Sequence, residues 1–307
     1  MARSRGCARR THRPNRALAL EFSRRFCLYD CVSRTRNGAR GSAAPALLFA
    51  LFLILFVAVT VYLFAARVYP APPPISRGAA LVDRQYNLTL CAAGAAFVLA
   101  QLGLACAVWR FRDRGQSARF ISGHVALEVL WTCVTLVVFV GLGMFGRRAW
   151  ADARFVSSPS NAIQIEVTTN QFVYTFRYPG PDGKFGRLDP SFISAPAGNP
   201  LGLDPNDAAG RDDAVLATLT VPVDRPVELL LRSQDVIHNF FVRELRLQQD
   251  AVPGMVIPVR FTADRIGTYE IVCTQLCGLG HNKMHSLLKV VSPSDYESFL
   301  QRQAAGP

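Results

Sequence analysis

The sequence predicts a membrane-anchored protein in which transmembrane helices are followed by an all-β outer domain, a β-sandwich or barrel. Two observations predict this class. The first half contains three long apolar runs that are nearly free of charge, at 46–66, 88–109 and 125–144. The second half, from Ala151 onward, contains short alternating segments bounded by Gly, Pro and Asp, a pattern typical of strands and turns.

Each apolar run is long enough to cross a membrane. At 1.5 Å per residue in an α-helix, about 20 residues span a hydrocarbon core of roughly 30 Å. The third run holds a single carboxylate, Glu128, close to its start. The first run follows a long basic tail, so a cleaved secretory signal is an alternative, but the length of both the tail and the run favours a retained helix.

Charge separates the two halves of the chain. The whole chain carries 34 Lys and Arg against 22 Asp and Glu. From Ala151 onward the balance is 14 against 17, which leaves 20 against 5, or +15, in residues 1–150. Because the arginines concentrate beside apolar runs, they argue for a membrane and against nucleic acid. The positive-inside rule then places the tail and the loop after the second run in the cytoplasm, and the C-terminal half outside.

These observations divide the chain into five parts. We expect a basic, disordered cytoplasmic tail over 1–44, a first transmembrane helix over 45–67, an external loop over 68–87, a helical hairpin over 88–147 and an external domain over 148–307.

Eight strands are expected in the external domain. Ile163, Ile165 and Val167 alternate with polar residues, which is the period of a strand with one buried face. A helix is expected after the last strand, with Ser294 and Glu297 as its capping box. The eight strands are 163–168, 171–178, 215–221, 227–232, 239–243, 256–262, 268–272 and 287–291.

Soft metal ligands cluster near the end of the chain. Within twelve residues stand Cys273, Cys277, His281 and Met284, and His238 lies 35 residues before the first of them. Sulfur and imidazole are the ligands that copper prefers. A structural zinc site would leave Met284 unexplained, and a disulfide would leave both histidines unexplained. A mononuclear blue copper site needs only one cysteine, so the second cysteine favours two coppers.

With these motifs, residues 88–300 resemble subunit II of the haem-copper oxidases, the cytochrome c oxidase family. The matching motifs are Asp235-Val-Ile-His-Asn-Phe, Val252-Pro-Gly-Met and the segment 273–284. The resemblance implies a two-helix hairpin followed by a cupredoxin-like Greek-key β-sandwich or barrel with a dinuclear copper A centre. The first apolar run and the basic tail extend beyond the common two-helix form.

The resemblance also implies the role of each metal ligand. Cys273 and Cys277 would bridge two coppers, and His238 and His281 would each complete one of them. Weak ligands would be Met284 and the backbone carbonyl of Gln275. The family often has glutamate where this chain has Gln275, so the copper ligand is retained while a magnesium ion shared with subunit I is in doubt.

Two further sites follow from the same resemblance. The family's aromatic strand usually reads Gln-Trp-Tyr-Trp, and this chain reads Gln-Phe-Val-Tyr, so Phe172 and Tyr174 are candidates for electron entry. The alternative for Phe172 is an ordinary core aromatic. Glu128 matches the family's glutamate at the mouth of the K proton pathway. Its alternative is a carboxylate that the dipole at a helix N-terminus favours.

The implied function is electron transfer, with no catalytic residue in this chain. The subunit would accept electrons from a soluble cytochrome c or cupredoxin and pass them to haem in subunit I, where oxygen is reduced. Subunit III is a further expected partner, and a bacterial-type inner membrane with the copper domain on the periplasmic side is the expected location. No C-x-x-C-H motif occurs, so no fused c-type haem is expected.

Two other functions remain as alternatives. One is the copper A subunit of a nitric oxide reductase, which the neighbouring catalytic subunit would identify. The other is a membrane-anchored copper chaperone, but that class has early cysteines and alternating helices and strands. Here the cysteines come late, in a domain whose pattern is all-β.

Overall fold

A computed structural model describes residues 43–66, 70–114, 123–154 and 158–304. The expected tail over 1–44 lies almost entirely outside them. The chain forms two compact units. Within the described residues, the first comprises 43–62 and 98–114, and the second comprises 63–66, 70–97, 123–154 and 158–304.

Three helices in the described residues are long and apolar enough to cross a membrane. They are α1 (Ala43–Ala65), α2 (Arg77–Arg110) and α3 (Val125–Arg154). Most of their apolar side chains are exposed, as expected for surfaces that face lipid. In the first unit, Ala50 and Leu53 of α1 pack with Ala105 of α2.

The second helix begins earlier than the sequence predicted. The expected external loop over 68–87 is helical from Arg77 onward. Ser76 caps this helix, because its hydroxyl accepts a hydrogen bond of 3.0 Å from the backbone N–H of Ala79. Polar residues such as Asp83 interrupt the apolar pattern in the first turns, so hydrophobicity alone places the start too late. The third helix likewise continues to Arg154, past the expected boundary at 147.

The outer domain is a sandwich of two five-stranded sheets. The strands are β1 (Ile163–Asn170), β2 (Val173–Tyr178), β3 (Ala214–Leu216), β4 (Leu219–Pro222), β5 (Val227–Ser233), β6 (His238–Val242), β7 (Leu247–Ala251), β8 (Ile257–Phe261), β9 (Gly267–Val272) and β10 (His285–Val291). The strand orders are β3-β2-β1-β5-β8 and β4-β10-β9-β6-β7. β1 pairs in parallel with β5, and β4 with β10, whereas the other neighbours are antiparallel. The expected class, membrane helices followed by a cupredoxin-like β-sandwich, is therefore confirmed.

One apolar core fills the space between the sheets. Ile165 and Leu229 come from the first sheet, Phe240 and Ile271 come from the second, and all four are fully buried. Each of these side chains lies on the inward face of an alternating strand. The core reaches the end of the domain where Cys273 follows the last residue of β9, because Cys273 belongs to the same buried cluster.

The number of strands differs from the prediction in two places. The segment 215–221, expected as one strand, forms β3 in one sheet and β4 in the other, because the chain crosses between the sheets at Ala217 and Thr218. β7 was not predicted, since Leu247-Gln-Gln-Asp-Ala shows little apolar alternation. It is an edge strand that pairs only with β6.

The C-terminal helix α4 (Pro293–Ala304) is capped by Ser292, so the predicted capping box was wrong. The Ser292 hydroxyl accepts from the backbone N–H of Asp295 at 3.1 Å and donates to the Asp295 carboxylate at 2.7 Å. Pro293 takes the first helical position, which its fixed φ suits, so the residue before it, Ser292, becomes the N-cap.

A buried ion cluster attaches the long insertion 179–213 to the first sheet. Arg177 on β2 pairs with Glu166 on β1 at 2.9 Å, and its guanidinium also binds Asp213 at the end of the insertion. Arg177 further donates to the carbonyl of Gly186 inside the insertion. All three charged side chains are almost completely buried.

The segment that leads into α2, together with the first turns of this helix, packs against the outer domain. We call Pro72–Asp83 the docking segment. Ile75 is 2% exposed and belongs to the core of the sandwich. Its backbone accepts from Asp264 N–H at 2.9 Å and donates to the carbonyl of Glu244 at 3.1 Å. Arg246 donates to both carboxylate oxygens of Asp83, at 2.7 and 2.9 Å, and to the carbonyl of Pro72.

We expect Ile75→Ala to lower the free energy of unfolding of the outer domain by about 2–4 kcal/mol, because it leaves a cavity in the core. Ile266→Ala is the matched control. Ile266 is 62% exposed, so its truncation should change stability by less than about 0.5 kcal/mol. Urea unfolding followed by near-ultraviolet circular dichroism measures both. Equal effects of the two substitutions would contradict the docking of Ile75.

Candidate metal centre

Two loops at one end of the sandwich bring the predicted ligands together. His238 is the first residue of β6, and Cys273 directly follows β9. β6 and β9 are neighbours in the second sheet, so residues distant in sequence become adjacent. One ligand atom from each of His238, Cys273 and Cys277 lies within 4.8 Å of the other two, and all three residues are buried.

The two thiols are close but unbonded. Their Sγ atoms are 3.9 Å apart, well beyond the roughly 2 Å of a disulfide bond. Cys277 Sγ also lies 3.5 Å from His281 Nδ1 and 3.9 Å from Met284 Sδ. Cys277 therefore lies at the middle of a set of soft donors. The backbone N–H of Cys273 donates to the carbonyl of Met284, which holds the two ends of this loop together.

The backbone of Gln275, rather than its side chain, approaches the cluster. Its carbonyl oxygen lies 3.1 Å from Cys273 Sγ. The residue as a whole is exposed. The expectation that the Gln275 carbonyl is a weak metal ligand stays a prediction.

One nitrogen of His238 has no partner in the described structure. Nε2 lies 2.7 Å from Asp235 Oδ1, but Nδ1 is buried and makes no hydrogen bond to any described residue. Leaving such an atom unsatisfied costs about 1–3 kcal/mol. A metal ion bound at Nδ1 would remove this cost, so the residues present fit a metal site and fit the soft donor set of copper.

Asp235 fixes the orientation of that imidazole. Its carboxylate accepts hydrogen bonds from His238 Nε2 and from the backbone N–H groups of Val236 and Gln171, each at 2.7 Å. Burial alone would raise the pKa of Asp235, but these three hydrogen bonds outweigh it and hold the pKa below its usual range. The ionised carboxylate keeps the proton of His238 on Nε2, which leaves the lone pair of Nδ1 free for a metal.

The protonation of Cys277 responds to the same enclosure. Burial, and secondarily the neighbouring Cys273, raises the pKa of its thiol. Cys277 therefore favours the neutral thiol, and a metal bound by its sulfur would have to displace the proton.

Phe172 lies between β1 and β2 and packs against the loop 273–284. Its ring covers Gly278 and Gly280, and a Cβ added to Gly280 would overlap the Phe172 ring. The ring is half-buried, so one part of it still faces solvent. Phe172 is thus placed where a docking partner can reach it.

Tyr174 lies deeper than Phe172. It is 3% exposed, its hydroxyl donates to the carbonyl of Asn239 at 2.6 Å, and its ring meets Phe240 edge to face. A donor on the surface cannot contact this ring. If Tyr174 takes part in electron entry, it can do so only as a buried residue that the donor does not contact.

Sequence reasoning missed Gln171 and Asn239. Gln171 joins the ligand loops, since its backbone N–H reaches Asp235 and its side-chain amide donates to the carbonyl of Cys277 at 2.6 Å. The backbone N–H of Asn239 points to Cys273 Sγ at 3.5 Å. Only their positions beside Phe172 and His238 in the sequence could have indicated these roles.

Glu128 is not part of this cluster. It lies in the first turn of α3, where its side chain is exposed.

The chain is similar to known proteins of one family. The family profile described as "Cytochrome C oxidase subunit II, periplasmic domain" matches residues 203–291. The alternative cytochrome c oxidase subunit 2 of Bradyrhizobium diazoefficiens is 35% identical over 233 residues, which cover 75% of this chain and 83% of the relative. Cytochrome c oxidase subunit 2 of Cereibacter sphaeroides is 31% identical over 213 residues, which cover 65% and 68%.

A solved structure is also similar. The crystal structure of the periplasmic domain of subunit II of cytochrome oxidase from Bradyrhizobium japonicum is 23% identical, with a TM-score of 0.36. The match covers 48% of this chain and 96% of that one.

We expect Gly280→Ala to destabilise the outer domain by about 1–3 kcal/mol, because the new methyl group overlaps the Phe172 ring. The backbone of Gly280 has φ −95°, so alanine brings no conformational strain of its own. In a Phe172→Ala background the same substitution should cost much less. Urea unfolding of the four proteins of this double-mutant cycle measures the coupling, and additive effects would contradict the contact.

Proposed function

The chain belongs to the cytochrome c oxidase subunit II family, and we propose that it is the electron-entry subunit of a cytochrome c oxidase. In this proposal the outer domain holds a dinuclear copper A centre. It accepts electrons from a soluble donor such as cytochrome c or a cupredoxin. It passes them to haem in subunit I, where oxygen is reduced.

The observation that carries the proposal is the unpartnered, buried Nδ1 of His238 beside two unbonded thiols. Two thiolates between two imidazoles provide donors for two metals rather than one. His238 and His281 would each bind one copper. Cys273 and Cys277 would each bind both coppers. Met284 and the carbonyl of Gln275 would be the weak ligands. When bound, such a copper pair shares one electron between both metals.

The contribution of the protein is to hold these ligands in place. Asp235 fixes the ring of His238, and the N–H of Asn239 points to Cys273 Sγ. Gln171 holds the carbonyl of Cys277. Ligands that are fixed before the electron arrives move little when the charge changes, which keeps the reorganisation energy low.

The proposed setting follows from the helices and the charge distribution. Three membrane-capable helices and basic flanks support a bacterial-type inner membrane, with the copper domain on the periplasmic side. The proposed partners there are oxidase subunits I and III. A magnesium ion shared with subunit I is not included, because Gln275 offers no carboxylate.

The proposal is tested by loading the purified full-length chain with copper, followed by metal analysis and electron paramagnetic resonance. Two coppers with a mixed-valence signal delocalised over both are expected. One copper, or zinc alone, would contradict the proposal. The full chain is required because a fragment that begins at Ala151 lacks Ile75, which belongs to the core.

Replacing Gln275 with alanine should leave two coppers bound, since only the backbone carbonyl of this residue approaches the cluster. Cys277→Ser should abolish the mixed-valence signal, because the central sulfur contacts both His281 and Met284. Metal analysis and resonance spectra of the two variants provide the comparison. Loss of copper from Gln275→Ala would show that its side chain is needed.

For Glu128 we propose proton delivery at the entrance of a channel in subunit I, consistent with a carboxylate at the start of a membrane helix. Glu128→Ala should lower oxygen consumption by the complex at least about tenfold while the copper spectrum stays unchanged. Glu297→Ala, an exposed change on α4, is the control. Unchanged turnover in Glu128→Ala would exclude this role.

A further inference from the structure

Asn239 is a buried residue of β6, 2% exposed, that joins β7 to the loop 273–284. Its side-chain oxygen Oδ1 accepts a hydrogen bond of 2.7 Å from the hydroxyl of Thr274, which lies in that loop. Its amide nitrogen Nδ2 donates to Oδ1 of Asp250 on β7, also at 2.7 Å. Its backbone N–H points to Sγ of Cys273 at 3.5 Å. Both the side chain and the backbone of Asn239 therefore contact this loop.

The partners of Asn239 determine which way its amide points. The carboxylate of Asp250 only accepts hydrogen bonds, so it requires the NH₂ group of Asn239, and the amide oxygen must then face Thr274. Gln248 on β7 donates from Nε2 to Oγ1 of Thr274 at 3.0 Å. Because this bond uses the hydroxyl as an acceptor, the one proton of the hydroxyl is available to Asn239. The chain of hydrogen bonds begins and ends on β7, at Gln248 and Asp250.

Thr274 and Cys273 are adjacent in the sequence and both meet Asn239, so their contacts close a small ring. In the described residues, β6 pairs with β9 only at Phe241 and Val272, so little backbone pairing fixes these strands beside Asn239. The contact from the Asn239 N–H to sulfur is long, and a cysteine sulfur is a weak acceptor. The shorter bond from the Thr274 hydroxyl therefore holds this N–H at the sulfur of Cys273.

We propose that Thr274 is a positioning residue that sets the reduction potential of the copper centre, by holding the Asn239 N–H at the sulfur of Cys273. This inference rests on the proposed function and deepens it, because it assigns a role to a residue that would not itself bind copper. Hydrogen bonding around a cysteine sulfur tunes the potential of a copper site. An N–H that points to the sulfur withdraws electron density from it, which favours the reduced, more electron-rich form.

The test replaces Thr274 with valine in the copper-loaded full-length chain, because valine has a similar shape and lacks the hydroxyl. At a fixed applied potential, we expect the ratio of reduced to oxidised centres to fall about threefold to tenfold, the factor that one net hydrogen bond is worth. A tenfold change is a decrease of about 59 mV for transfer of one electron. Spectroelectrochemical titration measures this ratio, and the mixed-valence resonance signal should remain.

Two matched substitutions separate the hydroxyl from the change of side chain. Thr274→Ser keeps the hydroxyl and should restore the potential of the unmodified chain. Thr268→Val makes the same change as Thr274→Val at an exposed residue of β9, at the opposite end of that strand from Cys273. It should leave the potential unchanged.

Hydrogen exchange in the metal-free chain measures the position of Asn239 without copper. The backbone amide of Asn239 should exchange faster in Thr274→Val than in the unmodified chain, because its N–H is no longer held at the sulfur. In Thr274→Ser it should exchange at the original rate. Mass spectrometry of peptides that contain Asn239 gives both rates.

Three results would overturn the inference. The first is an unchanged potential in Thr274→Val, even if exchange becomes faster, because Thr274 would then affect local stability alone. The second is a lowered potential that Thr274→Ser does not restore. The third is loss of copper from Thr274→Val, which would make the hydroxyl a requirement for binding. An unmodified chain without the mixed-valence signal would instead refute the proposed function, while hydrogen exchange would still show whether Thr274 holds Asn239.

Discussion

The arrangement of the loops that carry Phe172 and His238 depends on the carboxylate of Asp235. It accepts hydrogen bonds from two different loops, through the backbone N–H of Gln171 and Nε2 of His238. A carboxylate can accept all of its bonds, whereas an amide would turn one NH₂ group toward another donor. One side chain thus sets both the tautomer of a ligand and the position of the loop that carries Phe172.

The sequence predicted that these donor side chains lie together, because most of them are close in the chain. Cys273, Cys277, His281 and Met284 lie within one loop, so their spacing alone indicates a soft metal site. The position of His238 follows from the fold, and its spare nitrogen could not be inferred from spacing. Which nitrogen is free depends on Asp235, three residues before it, and on the burial that the sandwich imposes.

Sequence patterns could not predict the contacts between segments that are distant in the chain. Ile75 reads as one residue of a Pro-rich loop, yet it fills the core of a domain that begins more than eighty residues later. Arg177 reads as a charged residue on a strand, yet it is buried with two carboxylates and ties down the insertion 179–213. Such buried pairs contribute little net stability when complete, but losing one partner is costly, so they act mainly to fix one arrangement.

The docking of Ile75 and Pro72 has a consequence for maturation of the chain. The outer domain is assembled from residues on both sides of the α2–α3 hairpin, so its folding is complete only after both stretches have reached the same side of the membrane. A peptidase that removed the first apolar helix would have to cut before Pro72, because the carbonyl of Pro72 binds Arg246 and Ile75 fills the core. A cut further along would leave the outer domain with an open core and Arg246 without one of its acceptors.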